Sequence, residues 1–208
     1  SLSHLEVIRG GSASTLATNS PGGIVNFISK TGDEPGGAIG LTLGLDGGKQ
    51  TRVDANFCAK LGNGLRLHIG GFQRTGDGDR DAGFRGAKGG QVKANITQDF
   101  KDGFIRLSLK SLDDRTPSLM PVPVITTGGV IHAIPGIDPR TAFFINNSTP
   151  LDPVLGADGK MVNTDPRDGL RVRSTAIGLE GQFKLADGWS LSDKFRHASN
   201  SGRFIAMF

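Results

Sequence analysis

The chain has 208 residues, with 24 Lys and Arg against 20 Asp and Glu, a formal charge of +4 at pH 7. Its single cysteine, Cys58, excludes a disulfide framework and fits no cysteine metal motif. No apolar run approaches the roughly 18 residues of a membrane helix, and mean hydropathy is slightly negative. That excludes a helical membrane protein but not a barrel, whose strands hide an apolar face inside an alternating pattern.

The first segment places Leu5 and Val7, then Val25 and Phe27, at period two, which predicts two short strands around a loop rich in Ser, Thr, Ala and Gly. By itself this unit names no function. After it the chain alternates. In 51–61 the odd positions read Thr, Val, Ala, Phe, Ala, Leu, and the even ones Arg52, Asp54, Asn56, Cys58 and Lys60. The same split recurs around Ile39–Leu45, Leu65–Ile69, Val92–Ile96, Ile105–Leu109 and Ile177–Phe183. Seven strands are predicted, at about 37–46, 50–61, 64–74, 90–100, 103–113, 171–184 and 188–198.

Connections alternate between short and long. Gly62-Asn63-Gly64, Lys101-Asp102-Gly103 and Ala186-Asp187-Gly188 read as tight hairpin turns. The opposite ends carry a Gly-rich link near Asp46, a polar loop from Arg74 to Gly90, and a long loop over 114–170. Short turns at one rim and long loops at the other are typical of outer-membrane barrels, with the short side toward the periplasm. Phe100, Phe104 and Trp189 bracket the short turns, where an interfacial aromatic girdle would lie, although the chain has no Tyr.

The N-terminal residues then acquire a meaning. Glu6, Arg9, Gly10, Gly22, Gly23, Asn26, Ser29 and Lys30 stand where the plug domain of TonB-dependent outer-membrane receptors carries E-x-x-R-G-P and, later, G-G-x-x-N-x-x-[ST]-K. The stretch resembles the C-terminal end of that plug, most closely in the siderophore-receptor branch; Gly11 departs from the usual proline, and Leu16-Ala17 from an aromatic-Gly pair. The resemblance implies an all-β chain: the end of a plug domain over 1–32, then over 33–208 a transmembrane antiparallel β-barrel, partial, with seven or eight strands of a larger one. Barrels of about 8 strands are filled by side chains, whereas a plugged lumen needs about 22.

Further implications are location in the outer membrane of a Gram-negative bacterium, contact with its lipid, and monomeric uptake of a scarce small-molecule substrate, foremost a ferric siderophore. Energy would come from the TonB-ExbB-ExbD complex, through an N-terminal box expected, like the signal peptide, upstream of Ser1. An oligosaccharide receptor of the same family would share these motifs. A small complete outer-membrane barrel (adhesin or porin) and a soluble β-sandwich binding module are the alternatives from other classes.

Candidate site residues follow from the strand faces. Arg52, Arg66, Lys93, Arg106, Lys110 and Lys184 outnumber Asp54 and Glu180 on the polar face, so a lumen wall built from it would be basic. Such a wall attracts anions, or its charges are satisfied by the plug and one another. The resemblance also suggests an Arg9–Glu180 lock between plug and barrel. In the long loop, Arg140, Phe143, Phe144, Asn146 and Asn147 are candidate ligand contacts; loops of that length are functional or disordered as a rule. Asp77, Asp79 and Asp81 open a calcium-loop pattern, but Gly83 falls one position late and Lys88 stands where a closing Glu belongs, so a solvated acidic loop is expected. His4, His68, His132 and His197 are scattered without zinc or catalytic spacing, so no catalytic residues and no cofactor are expected. Basic residues spread along the strands also argue against a nucleic-acid interface.

Overall fold

The computed structural model describes residues 2–9, 22–45, 49–81, 83–119, 121–139 and 152–205. Two short strands, β1 (Leu2–Ile8) and β2 (Ile24–Ser29), pair as an antiparallel hairpin in which Leu5 faces Phe27 and Val7 faces Val25. The period-two apolar residues of the sequence therefore share one face of this hairpin.

The rest is dominated by one antiparallel sheet of seven strands: β3 (Gly36–Gly44), β4 (Gln50–Gly62), β5 (Leu65–Gly76), β6 (Ala87–Phe100), β7 (Gly103–Thr116), β12 (Leu170–Lys184) and β13 (Ser190–Phe204). Neighbours in sequence are neighbours in space, except that β7 pairs with β12 across the long loop, and β3 and β13 form the two edges. The loop is not structureless. It carries two small hairpins, β8 (Val124–Thr127) with β9 (Val130–Ala133) and β10 (Asp152–Leu155) with β11 (Met161–Thr164), and a 3-10 turn at Pro166–Asp168.

Turn chemistry explains why the register holds. Asn63 and Gly64 both adopt positive φ, 49° and 78°, the handedness a two-residue hairpin loop requires. In the longer link 185–189 between β12 and β13, Asp187 and Gly188 are also at positive φ, 58° and 78°. The Lys101-Asp102 turn works differently. Gly103 belongs to β7, not to a positive-φ turn, and its missing Cβ would lie 2.0 Å from the Gln182 carbonyl, so glycine there permits close approach to β12. From β6 through β13 the ladders run without a register shift.

Because registers are continuous, apart from one shift between Lys60 and Gly62 beside the first short turn, each strand keeps one set of residues on one face. One face carries Phe57, Ile69, Ile96, Leu107, Leu109, Ile177, Leu179 and Phe195, all substantially exposed. The other carries His68 and Thr97, with no accessible surface, and nearly buried Asn95 and Ser174. Among the described residues the buried hydrophobic ones are only Cys58, Ala87 and Ile205. A water-soluble sheet has the reverse arrangement, apolar side chains covered and polar ones out. Phe100 and Phe183 meet at 6.0 Å between ring centroids at the short-turn end of the apolar face. Phe104, expected beside them, instead lies on the polar face under the Arg106 guanidinium, 4.7 Å from its ring centroid.

Candidate functional site

The polar face is organised in cross-strand rows. Nearest the short turns, Lys60, Arg66, Thr97, Arg106, Glu180 and Lys194 stand in register. Arg66 makes a bidentate pair with Asp99, its Nη2 donating to Oδ1 at 2.7 Å, and a second pair with Asp33. Arg106 donates from Nη1 to Glu180 at 3.0 Å and from Nε to Thr97 Oγ1 at 2.9 Å. Farther up, Arg74 holds Asp114 through two bonds of 2.8 Å, and Arg52 holds Asp54 through two of 2.7 Å while its guanidinium lies 4.0 Å above the Phe72 ring. Planar guanidinium forks suit such half-buried sites because two parallel bonds to a carboxylate replace the water each group loses.

Sequence reasoning missed how the N-terminal segment meets this face of the sheet. Residues 30–33 cross β5 and β6: the Lys30 carbonyl accepts a 2.8 Å bond from Asn95 Nδ2, and Asp33 pairs with Arg66. Gly32 is buried there at φ +83°, and a Cβ on it would stand 2.6 Å from the Leu67 carbonyl oxygen. His68 lies beneath the crossing with no accessible surface, its Nδ1 3.5 Å from Asn95 Nδ2. No local pattern announces a contact made between residues 30 and 95; the polar parity of His68 and Asn95 was its only trace.

The motif residues of the hairpin are partly brought together. Glu6 and Asn26 are register partners, and Asn26 Nδ2 donates to Glu6 Oε2 at 3.0 Å. Gly23, at φ +134°, leaves room for the Ile8 carbonyl, which a Cβ would approach to 2.6 Å beside Arg9. Arg9 is exposed. The suggested Arg9–Glu180 lock is not formed: Glu180 is held by Arg106 at 3.0 Å and Lys194 at 3.1 Å, because opposite charges in adjacent strands of one row reach each other first. Gly10, Arg140, Phe143, Phe144, Asn146 and Asn147 lie outside the described residues.

Three of the six basic residues expected on this face, Arg52, Arg66 and Arg106, are thus neutralised locally. Lys93 and Lys110 are different. They stand directly opposite one another on β6 and β7, with no carboxylate within 4 Å among the described residues, and Arg196 is near enough to repel Lys93. Beside Lys93 is a hollow of about 510 Å³ between the hairpin and the sheet, lined among others by Leu2, Phe27, Arg52, Asp54, Phe72 and Lys93. Arg52 is spent on Asp54, so Lys93 is the cation on this hollow without a carboxylate among the described residues, and an ammonium bordering a hollow with apolar and polar walls can hold an anion that also has apolar surface. Lys184 lies instead at the short-turn rim, exposed.

Asp77, Asp79 and Asp81 do not converge: among the described residues no group of three potential metal ligands forms, and Asp81 spends one oxygen on the Gly83 amide at 3.0 Å. In the long loop, Asp165 accepts from the Arg167 amide at 2.9 Å and from its guanidinium at 2.6 and 2.8 Å. The Arg167 side chain, with the amide's help, holds the Asp165 carboxyl below the usual carboxylate range. No protein-family model, curated protein or solved structure matches the chain.

Two expectations follow. Gly32→Ala forces a Cβ against Leu67 and strains a positive φ, a cost of about 1–3 kcal/mol; hydrogen exchange should show residues 24–33 losing protection, and unchanged protection would mean the crossing is not so tight. The Asp165 turn, whose folded-state carboxyl is depressed, contributes fully above the unfolded value of about 3.9 and is lost as pH falls through the lower folded value. The Arg167 amide should therefore exchange slowly from neutral pH down to about 4 and open only below it; opening already in the range where histidine titrates would contradict the pairing.

Proposed function

We propose that this chain is a wall segment of an outer-membrane β-barrel with part of its plug, belonging to a TonB-dependent receptor that imports an anionic chelate of the ferric-siderophore class. The observation that carries the reading is the inverted sheet: a broad apolar face left bare and a polar face that holds the buried residues. Contiguous exposed apolar surface of this extent marks contact with something apolar. A bilayer accepts a β-sheet only when backbone groups are paired, so β3 and β13 would pair with further strands of the same barrel.

On this reading the hairpin β1–β2 is plug, and residues 30–33 are its hinge to the wall. Substrate would be drawn to the lumen by the unpaired Lys93, Lys110 and Arg196, since cations in a low-dielectric cleft concentrate anions. These cations favour an anionic chelate over a neutral oligosaccharide. TonB would act through an N-terminal box to move the plug, exposing the path beside the wall.

Two measurements test the two halves of the reading. Leu109→Arg puts a charge on the apolar face and should lower unfolding stability in phospholipid vesicles by about 2–4 kcal/mol; a change within about 0.5 kcal/mol, as for an ordinary water-exposed site, would remove the membrane from the account. In a receptor-deleted strain carrying the full-length protein, Lys93→Gln with Lys110→Gln should reduce ferric-siderophore uptake about tenfold at low ionic strength. Undiminished uptake, or growth rescue by a neutral sugar instead of iron chelates, would end the anionic-substrate assignment.

A further inference from the structure

Beneath the crossing at residues 30–33, two buried polar atoms have no partner among the described residues: His68 Nε2 and Asn95 Oδ1. Buried polar groups are paired as a rule, so both need a cause. The Lys30 carbonyl supplies it. A carbonyl only accepts, so the Asn95 amide must turn its Nδ2 to Lys30, at 2.8 Å, and the same nitrogen lies 3.5 Å from His68 Nδ1. A donor therefore faces Nδ1, which keeps its lone pair. While the segment is seated the imidazole is neutral, with its one proton on Nε2. Asn95 Oδ1 is idle for the same reason, because the other end of the amide serves both neighbours.

We infer that His68 is a proton-operated latch on the N-terminal segment: seated, the segment keeps the ring neutral, and a proton on the ring detaches Lys30 from Asn95. A proton added at Nδ1 sets one N–H against another. The amide relieves this by turning over, which gives Nδ1–H the idle Oδ1 as its acceptor and withdraws Nδ2 from the Lys30 carbonyl. The charges around the ring do not offer another way. Lys30 on the segment, Lys93 on β6 and the chain's amino terminus are near enough to repel a cation there. From β4 comes Cys58, the register partner of His68, in place of a carboxylate. Asp33 and Asp99, the carboxylates of this region, are both spent on Arg66, two positions before His68 on β5. The latch stands on the geometry of the crossing, and only its use in freeing a plug rests on the reading above.

Once the segment lifts, the ring titrates at the ordinary histidine value of about 6.5, whereas in the seated form Nδ1 is occupied by the amide. Opening is therefore independent of pH above that value and favoured by up to about tenfold for each unit below it. The test is hydrogen exchange of residues 24–33 in the full-length protein from pH 7.5 to 5, corrected for the intrinsic rate. Opening should rise by about thirtyfold by pH 5. His68→Gln should abolish the rise, and Asp33→Asn, which removes the other polar attachment but not the ring, should keep it. The Arg167 amide, held by a carboxylate, should stay closed over the same range. Should His68→Gln fail to fold, ¹⁵N shifts of the wild-type ring at neutral pH decide, with the proton expected on Nε2. A flat profile, a rise that survives in His68→Gln or disappears in Asp33→Asn, or a proton on Nδ1 overturns the latch. Each of these leaves the outer-membrane reading standing, since that reading falls on Leu109→Arg instead.

Discussion

Continuous pairing of the backbone across seven strands is the constraint on which everything else in this molecule depends. Once the ladders from β6 to β13 run without a shift, side-chain parity is fixed, and a single face must take all of Ile96, Leu107, Leu109, Ile177, Leu179 and Phe195. A slip of one residue would move Arg106 and Lys93 into that apolar row and Leu107 among the ion pairs. The short turns guard against the slip, because the positive φ values at Asn63, Gly64, Asp187 and Gly188 set where each hairpin can begin. Gly103 adds a contact that only glycine can make, against the Gln182 carbonyl.

Given that parity, the electrostatics of the polar face follow from which residue types meet across strands. Arg66 with Asp99 and Arg74 with Asp114 form half-buried pairs in which the guanidinium fork replaces lost hydration, and Arg106 divides its donors between Glu180 and Thr97. Where two lysines meet, as at Lys93 and Lys110, no such exchange is available. A point-charge ammonium opposite another has only repulsion to offer, and it stays a site of positive potential. The same rule operates on the other face near the long loops, where Lys88, Arg115, Arg171 and Arg203 exceed the carboxylates within reach.

Most of the sheet was legible in the sequence, and its misreadings have a common cause. Alternation located all seven strands in order, but put strand ends near 74, 90 and 113, whereas pairing continues to Gly76, begins at Ala87 and reaches Thr116. Around Thr75, Lys88 and Arg115 both faces are polar, so the hydrophobic signal fades while hydrogen bonding persists. That is why the cross-strand row Lys88, Arg115, Arg171 and Arg203 leaves little trace in the hydrophobic pattern. Nearness to a turn points Phe104 to the aromatic girdle, whereas its parity with Arg106 puts it on the polar face. The Arg9–Glu180 lock failed for a related reason, since Glu180 has cationic neighbours in its own row.

What local pattern could not supply is the crossing at residues 30–33, and it sets how the N-terminal hairpin can move relative to the sheet. Gly32 rests against the Leu67 backbone, so the crossing is fixed by sterics at one point and by polar bonds on either side, Lys30 to Asn95 and Asp33 to Arg66. The flanking bonds differ in kind. Arg66 keeps Asp99 if it loses Asp33, so that side can release at modest cost. Asn95 and His68 lie buried beneath the segment, and lifting Lys30 would strip Asn95 of its carbonyl partner unless water entered behind it. Release of the segment is therefore easier from the Asp33 end than from the Lys30 end, and a force applied along β2 meets the stronger attachment first.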